Sequence, residues 1–268
     1  MVRLKLIFLV LGASLLAASC ADPSGHPSAG SNSNWLRGCA SDLECGDALA
    51  CLCNVCTRAC QSGAECSDLP GGACAGTGDA SARSQCGDET LEAGICLERC
   101  SAGSCGEGRA CVTGTCVTAT LPENAFCADV AGGEATRAED ELLQAFQERR
   151  VEGGVSCADG SVSGRAPSLV LDSRLTCAAR VLAQDIVQNG TSTLIDSLGR
   201  NTSERMVAAG YVAATSVESF VTVSASASEA VTAMLEAPDP CPGLLSSELV
   251  DLGVASVGDT RVVTAASR

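Results

Sequence analysis

Cysteine is the residue type that could do most chemistry in this chain. There are 19 cysteines in 268 residues, and 14 of them lie between Cys39 and Cys116. Cys39, Cys45, Cys51 and Cys56 recur as Cys100, Cys105, Cys111 and Cys116 at nearly equal spacing. CTRAC at Cys56–Cys60 recurs as CLERC at Cys96–Cys100. Thiolates this dense serve either metal or disulfides. Cys51, Cys53 and Cys56 form CxC and CxxC steps that place sulfurs close enough for zinc. In an exported chain the same pattern reads as a disulfide framework, and that is the expectation here. The acids Asp42, Glu44 and Asp47 do not follow the spacing of an EF-hand calcium loop. The spacing predicts tandem stapled repeats over 39–118 with connectivity left open. Few apolar residues accompany them, so the bridges are expected to hold the module.

The other common chemical residues are scarce. The single histidine, His26, lies in a Pro/Gly/Ser-rich stretch. A Ser-His-Asp triad or a Cys-His nucleophile therefore has no base. No Walker loop, no GxGxxG after a strand and no HExxH occurs. The formal charge of −15 argues against a nucleic-acid partner.

The N-terminus supplies the compartment. Arg3 and Lys5 precede an apolar run from Leu6 to Leu16, too short to span a bilayer as a settled helix. Ala17-Ala18-Ser19 then precede Cys20. This resembles a bacterial lipobox, with Cys20 as the lipid-modified residue, although Ala17 stands where Leu is usual. Removing Cys20 leaves 18 cysteines, an even number that can all pair. The expected layout is a signal over 1–19, a tether over 20–38, the cysteine module over 39–118 and an α/β (α+β) domain over 126–268. The chain is expected to be exported and membrane-anchored through Cys20, at a bacterial outer membrane or cell surface.

Helix and strand patterns begin near Glu139. Leu142, Leu143, Phe146 and Val151 share one face of a predicted helix over 138–151. Leu175, Ala178, Ala179, Leu182, Ile186 and Val187 mark a long helix, capped by Asp172 and ended by Gly190. A shorter helix starts at Asn201 or Thr202, carries Glu204 in its first turn and stops at Gly210. TSVESFVTV reads as a strand, SASEAVTAMLEAP as a helix capped by Ser226 or Ser228, and Leu249–Val257 and Arg261–Thr264 as two strands. Helices about a small sheet make a layered domain.

In order, these phrases resemble the CAP superfamily of cysteine-rich secretory, antigen and pathogenesis-related proteins, especially bacterial members. ELLQAFQERRVEGG, LVLDSRLTCAARVLAQDIVQNG, NTSERMVAAGY, SVESFV, SEAVTAMLEAP and LVDLGVA carry the resemblance. It implies an α-β-α sandwich. It also implies a disulfide between Cys157 and Cys241, which would leave Cys127 and Cys177 to pair if the lead-in packs on the long helix. Family members often hold a divalent metal with two histidines and acids. Here Leu194 and Pro240 occupy the histidine positions, so no metal or other cofactor is expected. Glu218 matches a family cleft acid, either as a remnant of that cleft or as a carboxylate bracing nearby loops; Glu236 lies near a second acid position.

The reading of function is a surface-tethered, non-catalytic CAP-type lipoprotein that binds a lipid, peptide or protein. One alternative is a metal-independent hydrolase using cleft carboxylates, such as Glu218 with Asp196 or Glu236. Another places the activity in the cysteine module, as an inhibitor or adhesive unit.

Overall fold

The structure is a computed structural model describing residues 34–268, apart from 47, 88, 102, 103, 107, 120, 122, 123, 131–135, 223–225, 238 and 239. Cys20, His26, the signal and most of the tether lie outside the described residues, as do Asp47 and Val223. Among the described residues, no helix is long and apolar enough to cross a membrane.

The cysteine module contains three units of one design. In the first, strands β1 (Ala50–Leu52) and β2 (Val55–Thr57) form a hairpin. Its two-residue turn is Cys53-Asn54, both at positive φ (55° and 62°). A turn with positive φ at both central residues matches the right-handed strand twist, which is why such hairpins close tightly. Cys51 and Cys56 face each other across the hairpin but bond outward, as Cys39–Cys51 and Cys45–Cys56.

The second unit uses β3 (Ala59–Cys60), β4 (Gly72–Ala75) and β5 (Gly94–Glu98). Cys74 and Cys96 face each other and bond outward, as Cys60–Cys74 and Cys66–Cys96. The tight turn is replaced by a long insertion containing helix α1 (Ala80–Cys86). The third unit is the hairpin β6 (Arg109–Val112) and β7 (Thr115–Thr118), turning at Thr113-Gly114 (φ 45° and 86°). Its bonds are Cys100–Cys111 and Cys105–Cys116. The near-equal cysteine spacing points to the first and third units. The insertion hid the second, because it moves the fourth cysteine from a hairpin distance to Cys96.

Seven further elements build the C-terminal part. They are α2 (Arg137–Glu152), β8 (Val170–Leu171), α3 (Ser173–Asn189), α4 (Thr202–Ala208), β9 (Thr215–Thr222), α5 (Ala227–Glu236) and α6 (Pro240–Leu244). Strands β10 (Asp251–Val257) and β11 (Thr260–Ser267) complete it. The sheet order is β8-β10-β11-β9, antiparallel except for the β8–β10 edge. Period-two alternation sends Leu252, Val254, Val263 and Ala265 toward Phe146, Leu235 and Leu244 of α2, α5 and α6. Ala255 and Val262 face Leu182 and Ile186 of α3 on the other side. The chain is thus α+β, with an α-β-α layering at its C-terminal end.

The local signals explain the element ends. Asp172 caps α3 by accepting from the Arg174 N–H at 2.9 Å, and Gly190 closes it in the left-handed conformation at φ 67°. Asn201 with Glu204, and Ser226 with Glu229, form capping boxes on α4 and α5. β11 runs longer than the apolar run Arg261–Thr264 predicts, because β9 supplies register partners as far as Ser267.

The module also buries more apolar surface than its composition suggests. Ile95, Leu97, Val112 and Val117 are completely buried in one cluster with Leu142, Leu143 and Phe146 of α2. Helix α1 is the hinge of this contact. The Ser84 hydroxyl accepts from the Leu171 N–H at 2.8 Å. Gln85 reaches the first unit through the Cys53 carbonyl at 3.1 Å and the third through the Thr118 N–H at 2.8 Å. Cys86, the last residue of α1, is bonded to Cys53 in the first hairpin turn.

Candidate functional site

Glu218 lies on β9 opposite Thr264 of β11. Both point to the α3 side of the sheet, under α4. The Glu218 carboxylate is fully enclosed and receives three donors. Thr202 donates to Oε2 at 2.8 Å, Thr264 donates to Oε1 at 2.6 Å, and Arg205 Nη2 makes a salt bridge to Oε2. Arg205 is also without exposure. Its Nη1 donates to the carbonyls of Leu194 at 2.9 Å and Arg200 at 2.7 Å. Burial pushes the Glu218 carboxyl above its ordinary range, opposed by the Arg205 charge and the two threonine hydroxyls.

A general base must come within hydrogen-bond reach of the proton it takes. The Glu218 side chain has no exposure, and both of its carboxylate oxygens accept from groups of the protein itself. It braces the loop 194–200 against the sheet, and it does so through side-chain donors. Leu194 packs its side chain beside Leu182 and Ile186. Pro240 opens α6, where its missing N–H costs nothing. Neither position supplies a nitrogen ligand.

The acids named as partners for Glu218 engage other groups. Asp196 is buried and accepts from the backbone N–H groups of Leu198 and Arg200 and from Arg200 Nε at 2.8 Å. Glu236 is exposed at the end of α5. Cys157 is bonded to Cys241, joining the loop after α2 to α6. Cys127 is bonded to Cys177, and the lead-in residues Leu121 and Val130 pack with Leu175 and Ala178 of α3.

A second polar cluster went unread in the sequence. At the start of α3, Asp172 and Asp251 are both buried and both bound by Arg268, at 3.2 and 2.8 Å. Tyr211 donates its hydroxyl to Asp251 at 2.7 Å, and Arg174 sits 5.1 Å from the Tyr211 ring centre. Burial raises the Asp251 carboxyl, and burial with the Asp251 contact raises the Tyr211 phenol above its usual range. The only signal for this cluster was the lone tyrosine, in the phrase AAGY.

Three cavities of note open elsewhere. One of about 60 Å³ lies between α1, α2 and α3, lined in part by Glu139, Arg180 and Thr176. A groove of about 510 Å³ runs between the third unit and α2. Another of similar volume lies over Phe126 and Asp185. Glu218 lines none of them.

No protein-family model matches the chain, and no curated protein matches it. The solved structures that are similar in part include these two. One is an extracellular protein containing an SCP domain from Bacillus anthracis, 14% identical over 38% of this chain, with a TM-score of 0.37. The match spans 35% of that protein's length. The other is an outer surface protein from Borrelia burgdorferi, 17% identical over 50% of this chain and 95% of that one, with a TM-score of 0.41.

Proposed function

We propose that this chain is an exported binding protein, held at a bacterial surface through Cys20, whose CAP-type C-terminal domain performs no catalysis. The observation that carries the reading is the enclosure of Glu218. Glu218, which matches the family's cleft acid, is locked to Arg205, Thr202 and Thr264 and works as a structural brace. Leu194 and Pro240, at the family's histidine positions, add a partly buried side chain packed on α3 and a helix start. Nine disulfides among the described residues support folding in an oxidising compartment. The partner is a lipid, peptide or protein.

The test uses the secreted form from Ala21 onward, challenged with a panel of peptide, ester and glycoside substrates. The expected result is no turnover, together with a ligand-bound mass in the native mass spectrum. Turnover that Glu218→Gln abolishes while the fold is retained overturns the reading in favour of a carboxylate hydrolase.

A further inference from the structure

The groove of about 510 Å³ exists only because the cysteine module and the C-terminal layers are joined. One wall is the hairpin turn Thr113-Gly114 with the Cys100–Cys111 bond, and the other is the face of α2 carrying Leu143, Glu148, Val151 and Glu152. The two walls are fixed to each other. Gln144 Nε2 on α2 reaches Cys111 Sγ at 3.2 Å, and the Cys111 N–H points at Asp140 at 3.4 Å. The wall is predominantly apolar, and Val151 remains 46% exposed at its rim. The volume lies in the range of about 300–1,000 Å³ typical of ligand pockets.

Charge selects the occupant. Among the described residues, the ionisable side chains that line the groove are Glu148 and Glu152, both exposed, and no lysine or arginine lines it. Arg149 approaches Glu152 only loosely, at 3.7 Å. The surrounding protein carries a formal charge of −15. That field repels a second copy of the chain and an anionic lipid surface, and it draws in cations. We infer that this groove binds a peptide segment that carries aliphatic side chains beside lysine or arginine. The aliphatic groups lie against Val151, over a floor backed by the buried Leu143, and the basic groups meet Glu148 and Glu152. The inference rests on the binding-protein reading above and names its site and ligand class.

The experiment titrates the nitrogen-15-labelled secreted chain with the synthetic peptide Ala-Leu-Lys-Leu-Arg-Ala-amide. Its control is the same peptide with Glu in place of Lys and Arg. The expected result is amide shift changes at Thr113, Gly114, Glu148 and Val151 with the basic peptide alone. Glu148→Lys/Glu152→Lys should weaken binding roughly tenfold, the effect of losing two partly screened ion pairs. Both substitutions are on exposed positions, so an unchanged spectrum elsewhere confirms the fold. No shifts, equal binding of the acidic peptide, or an affinity unmoved by the double charge reversal overturns the site. Shifts gathered around Asp185 and Leu198 also overturn it but leave the binding-protein reading standing. Cleavage of the peptide overturns that reading itself.

Discussion

Between Cys39 and Cys116, seven disulfides hold strands of two to five residues. In the C-terminal part, three strands of seven or eight residues are held by packed layers and only two disulfides. The difference follows from what each segment has to bury. A hairpin with three-residue strands cannot pay its ordering entropy by burial alone, so cross-links shrink the unfolded ensemble instead. The C-terminal layers bury long side chains on both sheet faces, and there a single close contact matters more than a cross-link. The two means meet at α1, which is tied to the module by Cys53–Cys86 and to the sheet by Ser84.

The sharpest way to break the packed side is Gly253. A Cβ there would lie 2.1 Å from the Leu175 carbonyl carbon and 2.3 Å from the Thr176 nitrogen, backbone atoms that cannot step aside. Gly253→Val should cost more than about 4 kcal/mol and abolish the cooperative unfolding transition of the C-terminal layers. Urea denaturation followed by circular dichroism checks this, with disulfide mapping to see whether the Cys39–Cys51 and Cys45–Cys56 bonds still form. A variant of wild-type stability would mean that α3 and β10 are not packed this closely.

The next test removes the longest cross-link on that same side. Cys157→Ala/Cys241→Ala opens a loop of 84 residues and should cost about 4–5 kcal/mol by chain entropy. The short loops of the module, such as the 12-residue Cys39–Cys51, should cost about 3 kcal/mol each. Equal losses in thermal unfolding would show that entropy is not what the bridges supply.

The buried pair is expected to rank just below. Glu218→Ala leaves Arg205 charged and buried, and should destabilise by about 3–5 kcal/mol. Glu218→Leu/Arg205→Met removes both charges and should recover most of that loss. If the double variant is as unstable as the single one, the pair is not the source of the effect.

The smallest effect belongs to Asp185. Its carboxylate accepts from the Ser197 hydroxyl, from the Thr191 hydroxyl at 2.7 Å, the Asn189 amide at 2.8 Å and the Ser197 N–H at 2.9 Å. Burial opposes ionisation, but these donors together hold the group below its ordinary value of 3.8. A lowered folded-state pKa stabilises above the unfolded value, and the stabilisation is lost as pH falls through the folded value. Protection of the Ser197 amide against hydrogen exchange should therefore be full above pH 3.8 and fall below it, and Asp185→Asn should blunt the dependence. Protection that is flat down to the acid limit would remove Asp185 from this role.

Much of the C-terminal part was legible because its signals are local. The Asp172 cap, the αL Gly190, the Asn201–Glu204 and Ser226–Glu229 boxes and the 3.6-residue periodicity of α3 each act within a few residues. The doubled cysteine spacing of the first and third units was equally plain. The second unit was not, because a helix inserted between β4 and β5 stretches its spacing. The candidate site was half legible. Glu218 stood out by its phrase, but Arg205, Thr202 and Thr264 lie on α4 and β11, and no spacing in the sequence ties them to it.

By itself the sequence determined where α3 begins and ends and where α4 and α5 start, that the cysteines form a framework, and that the stretch from Glu139 onward holds no histidine to serve as a base or a ligand. These follow from residue type and from interactions between near neighbours. Only the tertiary structure decided that Glu218 is sealed by Arg205, that Ile95, Leu97, Val112 and Val117 join the core of α2, and that an acid-rimmed groove opens between the two regions. Burial and field depend on which distant surfaces meet, and one chain's local pattern does not encode that meeting in any single stretch.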